Sequence, residues 1–126
     1  MNKAVIDSDI LIDVLRRQEK AKVFIENITK GGEVCISALT EAEILSGKDC
    51  KDKTKREKTE DLLSFFQVID VTQSIARKGA ELRREHDVPL HDAIIAATAI
   101  ELKIPLHSRN VNDFKRIQDM KLIVPY

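Results

Sequence analysis

Short apolar runs alternate with longer amphipathic segments along the chain, and this alternation predicts strands separated by helices. The apolar runs predict strands at residues 3–6, 33–36, 67–71, 104–107 and 122–124. The segments between them place apolar residues at helical spacing, as in helices that pack on a sheet. This order predicts an α/β fold, a three-layer α/β/α domain with a central parallel sheet of four to five strands.

Capping residues mark the ends of several predicted helices. Ser37 or Thr40 is the expected N-cap of the helix after the second strand, and Gly47 ends that helix. Thr72 is the expected N-cap of a later helix. The inward face of that later helix is predicted to contain Ile75, Ala76, Gly79, Ala80 and Leu82.

Two further helices are distinguished by their apolar residues. The helix before the third strand is predicted to carry Phe65 and Phe66 near its end. The segment "HDAIIAATAIELK" follows a break at Pro89 and is the most apolar helix of the chain. A helix without a polar face is usually buried, so we expect this one to be central.

Composition and charge limit the classes of protein that the chain can represent. The length of 126 residues predicts one domain over residues 1–126. The composition, 43% hydrophobic and 33% charged, is that of a globular protein. No apolar run approaches the ~20 residues that span a bilayer, and a signal-peptide pattern is absent. We therefore expect a cytoplasmic protein with no membrane partner. The 21 basic and 21 acidic residues cancel, so any nucleic-acid surface must be local.

The cysteines and histidines do not indicate a site by their spacing. Cys35 lies in an apolar run and is expected in the core, whereas Cys50 lies in a charged segment and is expected to be exposed. Two cysteines make neither a disulfide framework nor a zinc motif. His86, His91 and His107 show no ligand spacing and accompany no nucleophile elbow, so they are left out of the predicted site.

Four acidic residues lie where a parallel sheet would bring them together. Asp7 ends the first strand, Glu43 lies in the helix after the second, Asp92 begins the apolar helix, and Asp113 follows the fourth strand. Ligands of open α/β sheets bind beyond the carboxyl ends of the strands. Two ionised carboxylates about 5 Å apart repel by roughly 3 kcal/mol at an effective dielectric of about 20. Such a cluster suits a hard divalent cation, and Mg²⁺ or Mn²⁺ can activate water there.

Each of these acids also has a structural interpretation. Asp7 can cap the first helix, and Glu43 completes a capping box with Thr40. Asp92 lies at a helix N-terminus, where the dipole favours a negative charge. Asp113 in a short helix suits the surface. The placement of all four at one edge of one sheet therefore carries the prediction of a site.

Two further acids follow Asp7 in the first helix. Asp13 precedes Arg16 and Arg17 by three and four positions, which predicts a solvated ion pair on the outer face. Asp9 lies between Asp7 and Asp13 and fits either the site or the surface.

These motifs resemble the PIN-domain family, and specifically the VapC-type ribonuclease toxins of prokaryotic toxin–antitoxin pairs. The resemblance covers nearly the whole chain and rests on four segments in the family's order: "VIDSDILID", "ISALTEAEILSG", "VPLHDAIIAATAIELK" and "HSRNVNDF". Each segment alone is a weak signal. The four together, at this spacing and in a chain of this size, are a strong one.

The resemblance implies a metal-dependent endoribonuclease with a PIN-like fold. Asp7 and Asp92 would be the principal ligands of Mg²⁺ or Mn²⁺, Glu43 would orient or deprotonate the attacking water, and Asp113 would complete the acidic cluster. The supporting or RNA-binding residues would be Ser8, Asp9, Ser108, Arg109 and Asn110, with Lys115 or Arg116 as further phosphate contacts. Members of this family usually dimerise, and a cognate VapB-type antitoxin inserts a peptide that blocks the acidic pocket.

The chain departs from the family pattern at several positions. Asp9 stands where many relatives have a neutral residue, so the resemblance leaves open a pocket with a fifth acid or a pocket that binds metal differently. Ser108 replaces the usual Thr, and Ile44 replaces Leu after the glutamate. The fourth acidic position falls on Asp113 or Asn110, because some relatives place their acid at the position of Asn110.

Two alternatives come from other functional classes. The opening segment also resembles the first motif of haloacid-dehalogenase-type phosphatases, in which Asp7 would be the nucleophile and Asp9 the general acid. Ser37 fits the next motif of that family. The acid pair and the lysine that such phosphatases carry later in their sequence have no clear counterpart in this chain. The other alternative is a binding module without activity, either a degenerate PIN domain or a receiver-like domain.

Overall fold

The computed structural model describes residues 2–126, which form five strands and seven helices. The strands are β1 (Asn2–Ile6), β2 (Glu33–Ser37), β3 (Gln67–Ile69), β4 (Leu106–His107) and β5 (Leu122–Ile123). The helices are α1 (Ser8–Leu15), α2 (Glu19–Lys30), α3 (Ala38–Leu45), α4 (Lys53–Leu63), α5 (Gln73–His86), α6 (Leu90–Leu102) and α7 (Val111–Phe114). A 3-10 turn at Lys48–Lys51 precedes α4.

All five strands belong to one parallel sheet in the order β3-β2-β1-β4-β5. The chain builds outward from β1 to β3 on one side and then crosses back to place β4 on the other side of β1. The order therefore reverses between β1 and β4, and open α/β sheets bind ligands at such a switch point. The predicted parallel sheet is confirmed, with five strands.

Two apolar cores cover the two faces of the sheet, which gives the predicted three layers. One core joins the sheet to α5, α6 and the region of α7, and the other joins it to α1, α2 and α4. Helix α6 is buried along most of its length, as its apolar sequence predicted. Gly79 of α5 faces α6 so closely that a Cβ there would lie 3.0 Å from Ile94 Cγ1. No helix within residues 2–126 has the length and apolar character needed to cross a membrane.

The observed caps confirm one prediction and decide another. Thr72 caps α5, where its Oγ1 accepts from the Ile75 N–H at 3.2 Å. Ser37 caps α3, where its Oγ accepts from the Leu39 N–H at 3.1 Å. Thr40 consequently lies inside α3, so its predicted capping box with Glu43 is wrong.

One prediction about a helix end and two about burial are also wrong. Helix α4 ends at Leu63, and Phe65 lies in the following turn with 65% of its surface exposed, while Phe66 is buried. Ala76 and Ala80 face solvent, because only one side of α5 contacts α6. Cys50 is 8% exposed because the 3-10 turn folds back on α3, which places its Sγ 3.7 Å from the Ile44 carbonyl oxygen.

Candidate acidic site

The predicted acids converge at the switch point of the sheet. Asp7 directly follows β1, and Ser108 directly follows β4, the neighbouring strand. The Asp7 N–H donates to the His107 carbonyl oxygen at 3.0 Å, which fixes the two strand ends side by side. The residues after β4 therefore approach the carboxylate at the end of β1.

Asp7 both caps a helix and faces the site. Its Oδ1 accepts from the Ser8 N–H at 2.8 Å at the start of α1, and its Oδ2 accepts from the Ser108 Oγ at 2.8 Å. The side chain is only 3% exposed. Burial, followed by the negative charges of Asp9 and Asp92, raises the pKa of Asp7 to about 6. An acid that is costly to ionise in the protein alone gains most from a bound cation.

Asp9 is tied to the loop after β4. Its Oδ2 accepts from the Arg109 N–H at 2.9 Å and from the Ser108 Oγ at 3.3 Å. Its Oδ1 is buried and has no hydrogen-bond partner. Burial is the main reason that the pKa of Asp9 is raised, with a smaller contribution from the charge of Asp13. A buried acceptor without a donor is costly, so this oxygen is available to a ligand.

Asn110 joins the two remaining predicted acids. Its Nδ2 lies 3.3 Å from Asp92 Oδ2 and 3.1 Å from Asp113 Oδ2, and it donates to both. The Asn110 N–H donates to the Ser108 Oγ at 3.0 Å, which continues the network to Asp7. The Asn110 amide and then a side-chain hydrogen bond with Asp92 lower the pKa of Asp113. Asp113 and Asn110, the two candidates for the fourth position, thus lie in direct contact.

Glu43 reaches the cluster through a residue that the sequence-based prediction left out. His91 Nε2 lies 2.7 Å from Glu43 Oε2, and His91 Nδ1 lies 3.4 Å from Asp92 Oδ1. The contact with Asp92 raises the pKa of His91 against the effect of burial, and the charges of Glu43 and Asp7 add to it. The only signal in the sequence was its position next to a predicted ligand, since the spacing from Glu43 does not suggest contact.

Arg109 and Asp13 form a second group on the other side of the same loop. Arg109 Nη1 lies 3.0 Å from Asp13 Oδ2, and the guanidinium lies 4.9 Å from the centre of the Tyr126 ring. The Tyr126 hydroxyl donates to the same Asp13 oxygen at 2.7 Å. The predicted solvated pairing of Asp13 with arginines of its own helix is therefore wrong. Tyr126 was missed, because no motif of the sequence contains it.

The donor set fits a hard divalent cation in its chemistry. The available ligands are carboxylate, hydroxyl and amide oxygens, and Mg²⁺ and Mn²⁺ favour such ligands. The raised pKa of Asp7 and the unpartnered Asp9 oxygen both reflect negative charge that protein groups do not compensate. Within residues 2–126, however, no three histidine, cysteine or acidic side chains form a ready-made ligand cage. A bound cation would therefore require small rotations of these side chains.

Comparison with known proteins places this arrangement in a family. The PIN-domain family model matches residues 4–120. Ribonuclease VapC10 of Mycobacterium tuberculosis is 32% identical over 122 residues, which cover 93% of this chain and 90% of that protein. Ribonuclease VapC1 of Rickettsia felis is 32% identical over 129 residues, which cover 94% of this chain and 93% of that protein.

Solved structures with the same fold include chains of toxin–antitoxin complexes. A toxin–antitoxin complex from Klebsiella pneumoniae contains a chain with a TM-score of 0.82 and 32% identity, and the match covers 98% of each chain. DNA-bound VapBC from Salmonella typhimurium has a TM-score of 0.85 at 22% identity, again with 98% of each chain covered. At that lower identity the likeness shows the fold alone.

Proposed function

The chain belongs to the PIN-domain family, and on that basis we propose that it is a metal-dependent endoribonuclease, the toxin of a VapBC-type toxin–antitoxin pair. The convergence of Asp7, Asp92 and Asp113 on the loop after β4 is the observation that carries this proposal. The alignment with two curated VapC ribonucleases over more than nine-tenths of the chain supports it.

Asp7 and Asp92 are the proposed principal ligands of Mg²⁺ or Mn²⁺, and Asp113 completes the negative cluster. A divalent cation bound there supplies a Lewis acid for water activation and for the charge that develops on the phosphodiester. Glu43 is the proposed group that orients the attacking water or accepts its proton. Its carboxylate is partly exposed, so it can meet both solvent and substrate.

The supporting residues hold this cluster in place. Ser108 shares its one hydroxyl proton between Asp7 and Asp9 and accepts from the Asn110 N–H, so one hydroxyl connects three residues of the site. The Ser8 N–H fixes the other oxygen of Asp7. Arg109 is the proposed contact to the RNA backbone, which would require a phosphate to replace Asp13 as its partner.

The proposed partners are a VapB-type antitoxin and a second copy of the chain, in addition to RNA. The matched Klebsiella pneumoniae structure is a toxin–antitoxin complex, which supports the antitoxin. A cleft of about 890 Å³ between α1, α3 and α4 borders Glu43. Its lining includes apolar Leu15 and Leu62 and basic Arg16 and Lys58, which suits an amphipathic acidic segment.

RNA cleavage tests the proposal directly. A pool of single-stranded and structured RNA is incubated with wild type or with Asp92→Asn, in Mn²⁺, in Mg²⁺ or in EDTA. We expect cleavage by wild type with metal, none in EDTA, and a loss on the order of 10³-fold in Asp92→Asn. Asp70→Asn is the matched control, because Asp70 also follows a strand at this edge but is exposed beside the outer strand β3.

Three results would contradict the proposal. Cleavage that survives in folded Asp92→Asn would remove Asp92 from the metal site. Absence of cleavage in every metal, together with Asp7-dependent hydrolysis of a small phosphate ester, would instead support the phosphatase alternative. Absence of both activities in folded protein free of antitoxin would support a binding module.

A further inference from the structure

His91 lies between two elements that carry acids of the site. It is the second residue of α6, next to Asp92, and its ring extends toward Glu43 on α3. The two ring nitrogens face different carboxylates, with Nε2 2.7 Å from Glu43 Oε2 and Nδ1 3.4 Å from Asp92 Oδ1. The closer contact is the one with Glu43, which is 48 positions away along the chain.

The Nε2 atom has a physical reason to hold Glu43. The atom is buried and makes no aligned hydrogen bond in the present side-chain orientations, although the Glu43 carboxylate is within hydrogen-bonding distance. A buried polar group without a hydrogen-bond partner lowers the stability of the folded protein. A small rotation of Glu43 aligns the bond and removes that cost, so this carboxylate is the acceptor that His91 favours.

Glu43 needs such a contact more than the other acids of the cluster do. Asp7 has hydrogen bonds to both carboxylate oxygens and is almost fully buried, whereas the Glu43 side chain is 40% exposed. A glutamate on a helix surface has several rotamers of similar energy, and fixing one of them costs side-chain entropy. Without His91, those other rotamers would compete with the one that faces the cluster.

We propose that His91 is a positioning residue that holds the Glu43 carboxylate toward the acidic cluster. The kinetic consequence of this inference rests on the proposed nuclease function. The contact between His91 and Glu43 does not depend on that function. His91 acts through Glu43 and is not required to touch RNA or metal. Its replacement should therefore slow the chemical step while leaving substrate binding unchanged.

Two amide replacements separate the contacts of the two ring nitrogens. The amide nitrogen of His91→Gln occupies the place of Nε2 and can still reach Glu43, whereas that of His91→Asn occupies the place of Nδ1 and can reach only Asp92. We expect kcat with Mn²⁺ to fall roughly tenfold in His91→Ala and His91→Asn, with KM unchanged, and to stay within about threefold of wild type in His91→Gln. Equal losses in His91→Gln and His91→Ala would overturn the proposal.

A double-mutant cycle with Glu43→Gln tests whether His91 acts through Glu43. The loss caused by His91→Ala should nearly disappear in the Glu43→Gln background, because the group being positioned is already gone. Independent, additive losses would show that His91 acts on something else, and would overturn the proposal.

A cycle measured by urea unfolding needs no activity, and for it Glu43→Ala replaces Glu43→Gln, because a glutamine oxygen can still accept a hydrogen bond from His91. We expect Glu43→Ala and His91→Ala to be non-additive in the free energy of unfolding, since each removes the same contact. Additive free energies would overturn the inference. If wild type cleaves no RNA but the unfolding cycle shows coupling, the nuclease proposal fails while the His91–Glu43 contact stands.

Discussion

Two groups of side chains, each with at least one carboxylate, lie on either side of the loop after β4, and they differ in how the carboxylate charge is compensated. On one side, Asp13 accepts hydrogen bonds from the Arg109 guanidinium and the Tyr126 hydroxyl. On the other side, Asp7 is buried beside Asp9 and Asp92 and accepts only neutral donors, the Ser8 N–H and the Ser108 hydroxyl. The first group is complete as a structural ion pair, whereas the second keeps negative charge that its neutral donors do not offset, and a bound cation would stabilise its ionised form.

Replacing one acid from each group should give opposite results, and this is the largest expected effect. Asp7→Asn should lower RNA cleavage on the order of 10³-fold. The same change should raise the unfolding free energy of the metal-free protein at pH 7 by about 1–3 kcal/mol, because it removes a buried charge. Asp13→Asn should instead destabilise the protein by about 1 kcal/mol and leave cleavage within about threefold of wild type. Cleavage assays and urea unfolding of both variants check this contrast.

An opposite outcome would break the comparison. If Asp7→Asn were less stable than wild type in the absence of metal, the protein itself would already compensate the charge of Asp7. The two groups would then differ only in position.

The pH dependence of stability should distinguish the groups next. The pKa of Asp7 is raised from 3.8 to about 6, so the folded state binds this proton more tightly than the unfolded state does. Its contribution to stability is therefore fully present below pH 4 and is lost as the pH rises through 6, a change of about 3 kcal/mol. Urea unfolding of metal-free protein between pH 4 and 7 should show this loss in wild type. Asp7→Asn, and wild type with saturating Mn²⁺, should not show it.

The smallest expected effect concerns the structural group alone. Tyr126→Phe removes the hydroxyl that donates to Asp13 at 2.7 Å and keeps the ring that lies under Arg109. We expect a loss of about 1 kcal/mol in stability, typical of one hydrogen bond, and little change in cleavage. Thermal unfolding and the RNA assay measure the two quantities. A tenfold loss of cleavage would indicate that Tyr126 belongs to the catalytic side of the loop.

A site residue could be predicted from the sequence when its place in the fold follows from the segment that contains it. Asp7 ends an apolar run, and parallel strands bring their carboxyl ends to one edge, so its convergence with the residues after β4 could be expected. Helix caps such as Thr72 are equally local, because the capping bond spans three residues. The order of the elements could be predicted for the same reason.

Contacts that depend on tertiary geometry could not be predicted in this way. The Tyr126–Asp13 hydrogen bond joins residues 113 positions apart, and no periodicity relates them. His91 contacts Glu43 only because the tertiary fold brings the start of α6 within reach of Glu43 in the second half of α3. Cys50 is buried because a short turn folds back on α3, although the surrounding sequence is charged. In each case the contact depends on where a distant partner residue lies, and the residue's own segment does not indicate that position.

The reversal of strand order at β1 also sets when the site can form during synthesis. The Ser108–Asp7 hydrogen bond joins residues 101 positions apart, and β4 is required to bring them together. Loops of this length close slowly, and contacts of high sequence separation form late in folding. A nascent chain that has not yet extended beyond residue 110 therefore carries Asp7 without the loop that completes its surroundings. We expect the acidic cluster to be assembled only after most of the chain has left the ribosome.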